Sequence, residues 1–287
     1  MSSKVCMMVG LPGSGKSTYC RAQLSRNNRA IWLSSDEIRR ELYGDSSIQD
    51  NPSAVFELMR KRLHEAIQNG APEIYYDATN VSAKRRLAFC KDLRQKFGNK
   101  VLLCAYVFCA PIEDCIERAK NRVENPISDV VIYRMLFQWR TPYYWEGWDK
   151  IEIMNFGIVD PLLPQAQVQM YNFNQHNPHH SLTLQEHCSK AERIVFEMRN
   201  CYDTICRAAK WHDVGKVYTQ TFDDKGVAHY YGHEGWGGYL TLSLGLLCSA
   251  LISHHMDPLR GEKIINEMDD VFLERLNQIH EADLQAH

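Results

Sequence analysis

The sequence predicts two domains of different class: an α/β domain, with a parallel sheet and helices on both faces, over residues 1–157, and an all-α domain over residues 181–287. Three observations lead there. Short apolar, β-rich runs alternate with amphipathic helical stretches through the first half, the order that builds a parallel sheet covered by helices. Beyond residue 181 such runs become few, and apolar residues recur at i, i+3 and i+4. Between them, residues 158–180 turn to Pro, Gln, Asn and His, with Asp160-Pro161, Leu163-Pro164 and Asn177-Pro178, and read as a connector of no helical or strand period. A chain of 287 residues is long enough for each half to bury its own core.

In order, residues 5–9 form the first strand and a helix opens at Lys16; residues 30–33 form the second, with a helix from Asp36. Residues 74–76 lead to a helix from Ser82, and residues 101–108 to one from Ile112. Asn125-Pro126 breaks that helix, residues 128–139 resume helical spacing with Val131, Met135, Leu136 and Trp139 on one side, and residues 151–155 supply a last strand. In the second half, helices are read around residues 187–200, 202–212, 234–253 and 262–287. The balance of 33 Lys+Arg against 35 Asp+Glu excludes a basic field of the kind that grips duplex DNA non-specifically. The apolar stretch before Gly10 is too short for a signal peptide, and no run reaches the roughly 20 apolar residues of a membrane span, so a cytoplasmic protein with no membrane partner is expected. Ten scattered cysteines without a C-x-x-C indicate neither a zinc ribbon nor a disulfide framework, and suit small buried apolar positions.

Residues 10–17, GLPGSGKS, sit between the first strand and its helix, which is the setting of a phosphate-binding P-loop. Gly10, Pro12, Gly13, Ser14 and Gly15 let backbone N–H groups converge on phosphates, Lys16 neutralises β/γ charge, Ser17 reaches Mg²⁺ and Thr18 continues the loop, so ATP or another nucleoside triphosphate is the expected ligand. Asp36 opens a helix at the carboxyl end of the second strand, where an acceptor hydroxyl would sit; it can take the hydroxyl proton while Arg39, one turn on, holds an anion of the acceptor. Asp is equally a favoured helix cap, and both roles can coexist. Asp77, at the end of an apolar strand, stands at a Walker-B-like position for a metal-bound water or the acceptor. Arg118 and Arg122 lie one turn apart and can close over the triphosphate, although a solvated basic face would look the same.

Taken together, GLPGSGKST, Asp36-x-x-Arg39, the DATN of residues 77–80 followed by Lys84-Arg85-Arg86, and the arginines at 118 and 122 resemble the P-loop 5′-hydroxyl polynucleotide kinases, over about the first half of the chain. That resemblance implies Asp36 as general base, Arg39 on the acceptor's phosphate, and the lid arginines on the donor. Related small-molecule kinases share the P-loop and much of the DATN-like strand.

A second series comprises His187, His212-Asp213 in WHDVGK, His233 in GHEG, His254-His255 in SHHMD, and Asp283. Imidazoles and carboxylates suit one or two ions of Mn, Fe, Co, Ni or Zn, and two metals can share Asp213. Any one of the 12 histidines taken alone is more often a surface or core residue; the set is what counts. The series resembles the HD superfamily of metal-dependent phosphohydrolases, most like the domains attached to tRNA-end processing enzymes. The resemblance implies His187, His212, Asp213 and Asp283 as ligands, with further histidines at His233 and at either His254 or His255. Asp257, Asp269 and Asp270 are rivals to Asp283. Lys216, one turn past Asp213, is placed to touch a substrate phosphate, and the implied chemistry is attack on a phosphoester by a metal-activated hydroxide.

The two halves make sense on one substrate, a broken RNA with a 5′-OH and a 2′,3′-cyclic phosphate (or a 2′/3′-phosphate), healed at both ends for a separate RNA ligase. Arg60-Lys61-Arg62 and Lys84-Arg85-Arg86 are candidate RNA contacts, whereas the aromatic segment of residues 143–148 reads as packing at the sheet edge. The alternative is a small-molecule or nucleoside kinase fused to an HD nucleotidase.

Overall fold

The computed structural model describes residues 2–48, 50–155, 157–176, 182–199 and 202–286. They fall into two units: Met1–Ile132 with Glu146–Asn155, and Tyr133–Trp145 with Phe156–His287. The first unit holds a five-stranded, wholly parallel sheet of β1 (Ser3–Val9), β2 (Ile31–Ser34), β3 (Glu73–Asp77), β4 (Val101–Phe108) and β5 (Lys150–Met154) in the order β2-β3-β1-β4-β5. Its flanking helices are α1 (Lys16–Arg26), α2 (Ser35–Tyr43), α3 (Pro52–Gln68), α4 (Ala83–Phe97), α5 (Ile112–Lys120) and the start of α6 (Asp129–Phe137). Val5 to Val9 are buried without interruption, as expected of a central parallel strand covered on both faces. Register matters for function: Asp77 pairs with Met8 on one side and with Ser34 on the other, so the carboxyl ends of β1, β2 and β3 finish side by side.

In the first unit, helix α3 adds an element beyond those the residue spacing predicts. Its signals are ordinary: Asn51 accepts from Ala54 N at 3.2 Å as the cap, Pro52 takes the first turn, and Val55, Met59, Leu63, Ala66 and Ile67 are buried at helical spacing.

In the second unit, α7 (Leu162–Met170) forms inside the segment read as a structureless connector, burying Leu163, Ala166 and Met170. Residues 177–180 of that reading lie outside the described residues. Then follow α8 (Leu184–Arg199), α9 (Thr204–Trp211), α10 (Lys216–Thr219), a hairpin of β6 (Thr221–Phe222) and β7 (Ala228–His229), α11 (His233–Leu240), α12 (Leu246–His254), α13 (Asp257–Arg260) and α14 (Asp270–Gln285). Their core gathers Val195, Ile205, Leu251, Phe272, Leu276 and Ile279. The single helix expected over residues 234–253 is two: α11 ends at Leu240 with Thr241 as its cap, a 3-10 turn follows at Leu242–Leu244, and Gly245, at a φ of +113, ends that turn and starts α12. The last helix begins later than residue 262, where Asp269 caps it by accepting from Phe272 N at 2.8 Å.

Residues 133–145, which the sequence grouped with the sheet domain, pack in the second unit. Thr141 N donates to Ser253 Oγ at 3.0 Å, and the Trp139 indole donates to Thr141 Oγ1 at 2.9 Å. The aromatic segment is therefore divided: Tyr143 and Trp145 pack against the second core, while Trp148 is buried in the first unit. Among the described residues nine cysteines are buried and in no disulfide, and no helix is long and apolar enough to cross a membrane.

Candidate functional site

Each unit carries a constellation of its own. In the first, Gly15 caps α1 in the left-handed region and Gly13 has a φ of +79; a Cβ on Gly13 would lie 2.4 Å from the Cys115 carbonyl oxygen, so only glycine lets the loop pass α5. Lys16 is buried, its ammonium donating to Leu11 O at 2.7 Å. Burial pulls its pKa down, opposed chiefly by Asp77. Asp77 is buried too and accepts from the Trp32 indole at 3.1 Å; burial pushes its carboxyl up, against Lys16 and hydrogen bonds from Ser17 and Trp32. The DATN loop is fixed through its backbone: Gly10 N donates to Thr79 O, and Asn80, at a φ of +49, donates from Nδ2 to Met8 O at 2.7 Å.

The loop opens on a cleft of ≈ 730 Å³ whose wall includes Lys16, Ser17, Trp32, Asp36, Arg118 and Arg122. Ser34, not Asp36, caps α2, accepting from Glu37 N, which leaves the Asp36 carboxylate in the cleft wall. Arg39 Nη1 donates to Asp36 Oδ1 at 3.0 Å, and Arg122 Nη1 lies 3.7 Å from its other oxygen. Arg118 instead pairs with Asp114 at 2.7 Å on its own helix. One expectation is corrected: Arg86, grouped with Lys84 and Arg85 as an RNA contact, is 0% exposed. It forms a bidentate pair with the equally buried Glu146, at 2.8 and 2.7 Å, and donates to Asn80 O at 2.9 Å. Its work is to hold the loop that follows Asp77.

In the second unit, helix ends and helix faces converge on Asp213. Its Oδ2 lies 3.4 Å from His187 Nε2 and 3.3 Å from His212 Nε2, and Asp283 Oδ1 closes that group at 3.0 Å from His187. Its Oδ1 faces a second group, 3.1 Å from His233 Nε2 and 3.7 Å from His255 Nε2. All are buried except Asp283, which is partly so, and within each group the candidate ligand atoms lie within 4.8 Å of one another.

The donor set fits a metal pair on a further observation. The Nδ1 atoms of His212, His233 and His255 lie 2.7, 2.7 and 2.8 Å from the carbonyls of Ala209, Tyr230 and Ile252, which places the proton on Nδ1 and leaves the Nε2 lone pair able to bind a metal. His254, offered with His255, is the one that does not fit: its Nδ1 sits 2.6 Å from Asp257 Oδ2 and its ring packs beside Trp145 and Phe272. Of the three rival carboxylates, Asp257 is committed to His254 and Asp269 is a helix cap.

Electrostatics follow the geometry. Burial opposes ionisation of Asp213, yet Lys216, at 2.6 Å, and His212 hold it far below the usual carboxylate range. Burial likewise disfavours a charged His212, but Asp213 carries its pKa well above the ordinary imidazole value, while burial leaves His255 lowered. Three contributors were not seen in the sequence. Gln175 accepts from Lys216 Nζ at 3.1 Å, Tyr230 lies under the same ammonium at 5.3 Å, and Arg140 reaches Glu234 at 3.0 Å and Asp257 at 3.6 Å. None belongs to a spacing motif. Gly215 has a steric reason: a Cβ there would stand 2.0 Å from the His233 carbonyl oxygen, so glycine lets α11 approach the His212-Asp213 turn.

Comparison with known proteins agrees with the first unit. Residues 5–139 match the family described as AAA domain (AAA_33), and the parallel sheet with flanking helices fits a P-loop kinase fold. Among solved structures, the chain is similar to that of a Pnkp1/Rnl/Hen1 complex, at 24% identity over 43% of this chain and 41% of that one with a TM-score of 0.35. It is similar to a fungal RNA kinase at 10% identity, over 54% and 75% of the two chains, with a TM-score of 0.38. It is also similar to shikimate kinase from Acinetobacter baumannii in complex with shikimate, at 18% identity over 59% and 92%, with a TM-score of 0.36. The chain thus spans less than half the length of the Pnkp1/Rnl/Hen1 chain it matches. No curated protein shows a significant match.

Proposed function

We propose that this chain is a bifunctional RNA end-healing enzyme: it phosphorylates 5′-OH ends with ATP and hydrolyses 2′,3′-cyclic phosphate (or 2′/3′-phosphate) ends, leaving sealing to a separate RNA ligase. The observation that carries it is a shared carboxylate. Asp213 serves two histidine groups, one per oxygen, in a chain whose other unit sets Lys16 and Asp36 in one cleft.

In the kinase unit, backbone amides from Gly13 to Thr18 bind the phosphates and the Lys16 ammonium balances β/γ charge. Ser17 and Asp77 would hold Mg²⁺, which neutralises charge on the β/γ oxygens. Asp36 accepts the proton of the attacking hydroxyl, positioned by Arg39 and Arg122, and Arg122 with Arg118 lines the triphosphate side of the same cleft.

In the second unit, His187, His212, Asp213 and Asp283 would hold one ion of the Mn, Fe, Co, Ni or Zn class, and Asp213, His233 and His255 a second. Such a pair would supply Lewis acidity and acidify a bound water toward a pKa of about 7. The backbone carbonyls behind the rings hold the imidazoles in the ligand tautomer. Lys216 keeps Asp213 ionised and places a positive charge where a phosphate enters.

The test compares acceptors under γ-labelled ATP. A 5′-OH oligoribonucleotide should be labelled and nucleosides or shikimate should not; the reverse preference establishes the small-molecule kinase alternative.

A further inference from the structure

Asp77 ends β3 beside Met8, just short of the phosphate loop, as a carboxylate only 3% exposed. The groups that sustain its charge are Lys16, the Ser17 hydroxyl and the Trp32 indole. Bound Mg²⁺-ATP claims the first two, the ammonium for the β/γ phosphates and the hydroxyl for the metal. Trp32 is different. An indole has a single N–H and accepts nothing, and here that N–H donates to Asp77 Oδ2 at 3.1 Å.

The sheet explains why a tryptophan serves. Parallel register sets Ser34 beside Asp77 and Trp32 beside Tyr75, so the four side chains share one face. Ser34, the nearer residue, is committed elsewhere: its hydroxyl caps α2 by accepting from Glu37 N at 3.4 Å. Trp32 lies two residues back along β2, and its long ring spans the diagonal to Asp77. That ring is itself pinned. It packs against the core of Cys6, Met8, Cys20 and Tyr75, and the Arg21 guanidinium stands 5.7 Å from its centroid. Because Arg21 follows Ser17 by one turn of α1, the helix of the phosphate loop and β2 hold the indole between them.

The chemistry of the donor also matters. Lys or Arg in this place would orient the carboxylate but neutralise the charge that attracts a divalent cation, whereas a neutral N–H orients it and leaves the charge intact.

We propose that Trp32 is a positioning residue of the kinase unit: its indole N–H holds the Asp77 carboxylate in place for the Mg²⁺ that accompanies the triphosphate. This rests on the reading of Ser17 and Asp77 as the Mg²⁺ site and is independent of the acceptor.

The test uses the full chain and the fluorescent nucleotide mant-ATP, with dissociation constants measured in excess Mg²⁺ and in EDTA. Their ratio is the coupling between metal and nucleotide. Trp32→Phe removes the N–H and keeps a ring; it should leave the affinity in EDTA within about twofold and cut the coupling about tenfold. Asp77→Asn should cut it as well, and the double variant should lose no more than Asp77→Asn alone. An unchanged ratio in Trp32→Phe, equal losses in Mg²⁺ and EDTA, or wild-type affinity that ignores Mg²⁺ overturns the proposal. A second readout keeps Trp32 in place. In isotope-labelled wild-type protein loaded with a non-hydrolysable ATP analogue, the Trp32 indole N–H resonance, assigned through its own backbone, should move when Mg²⁺ is added, and in Asp77→Asn it should stay. A resonance that is still in the wild type, or moves equally in both, overturns the proposal. Neither measurement contains an acceptor, so a kinase that prefers a small molecule over RNA leaves the role of Trp32 standing, and failure here leaves the RNA reading to its own test.

Discussion

Replacing Arg86 by Met should unfold the first unit far more readily than a surface substitution would. Arg86 and Glu146 are both 0% exposed, bonded at 2.8 and 2.7 Å, and Glu146 also accepts from the Trp148 indole at 2.9 Å. Met fills much of the arginine's volume but leaves the carboxylate buried without its cation, a change that costs about 3–5 kcal/mol. In a unit of this size, that is a fall in midpoint on the order of 10 °C. The assay is thermal and urea unfolding followed by circular dichroism, with Glu146→Leu and the double variant completing a cycle. The double variant, which buries no lone charge, should be more stable than either single one. Because Arg86 also donates to Asn80 O, the single variant should weaken ATP binding through the loop after Asp77. A loss below about 1 kcal/mol, or a double variant as unstable as the sum of the singles, would refute the reasoning.

Three further outcomes follow from the second unit. Gly215→Ala, with its Cβ forced against the His233 carbonyl, should cost about 1–3 kcal/mol and shift the metal groups enough to cut hydrolysis on the order of a hundredfold, checked by unfolding and by turnover. In calorimetric titration with Mn²⁺, His255→Gln should lose one of two binding events and His254→Gln neither, since only His255 faces Asp213. Burial alone would raise the Glu234 carboxyl, but His233, Arg260 and Arg140 hold it down at about 2. A depressed carboxyl stabilises the fold above its unfolded pKa and loses that contribution as pH falls through its folded one, so stability should drop between about pH 4.5 and 2, and Glu234→Gln should flatten the slope there in urea melts.

Much of this was legible from residue spacing. The P-loop, Asp36 and Asp77 announced themselves because strand, turn and helix signals surround them, and the sheet registers bring Ser34 and Asp77 together. The His-Asp series was visible as a set, but choosing His255 over His254 needed the turn geometry: adjacent residues at a helix end point different ways, one to Ile252 O and one to Asp257. Arg86 was misread for a physical reason. A basic triplet on a helix looks solvated in one dimension, and only its contact with Glu146, 60 residues away, shows it buried. Arg140 escaped for the same reason, its partners Glu234 and Asp257 being distant in the chain. Helix α7 and the β6–β7 hairpin were hidden by prolines and by strands too short to show a period.

The central claim is that two separate sites in one chain act on the two ends of one broken strand. It is tested most directly by incubating wild-type, Lys16→Ala and Asp213→Ala proteins with γ-labelled ATP and an RNA bearing a 5′-OH and a 2′,3′-cyclic phosphate. The account predicts that Lys16→Ala abolishes 5′ labelling alone and Asp213→Ala abolishes opening of the cyclic phosphate alone. Labelling that survives Lys16→Ala, ring opening that survives Asp213→Ala, or no reaction of the wild-type protein at either end would contradict it.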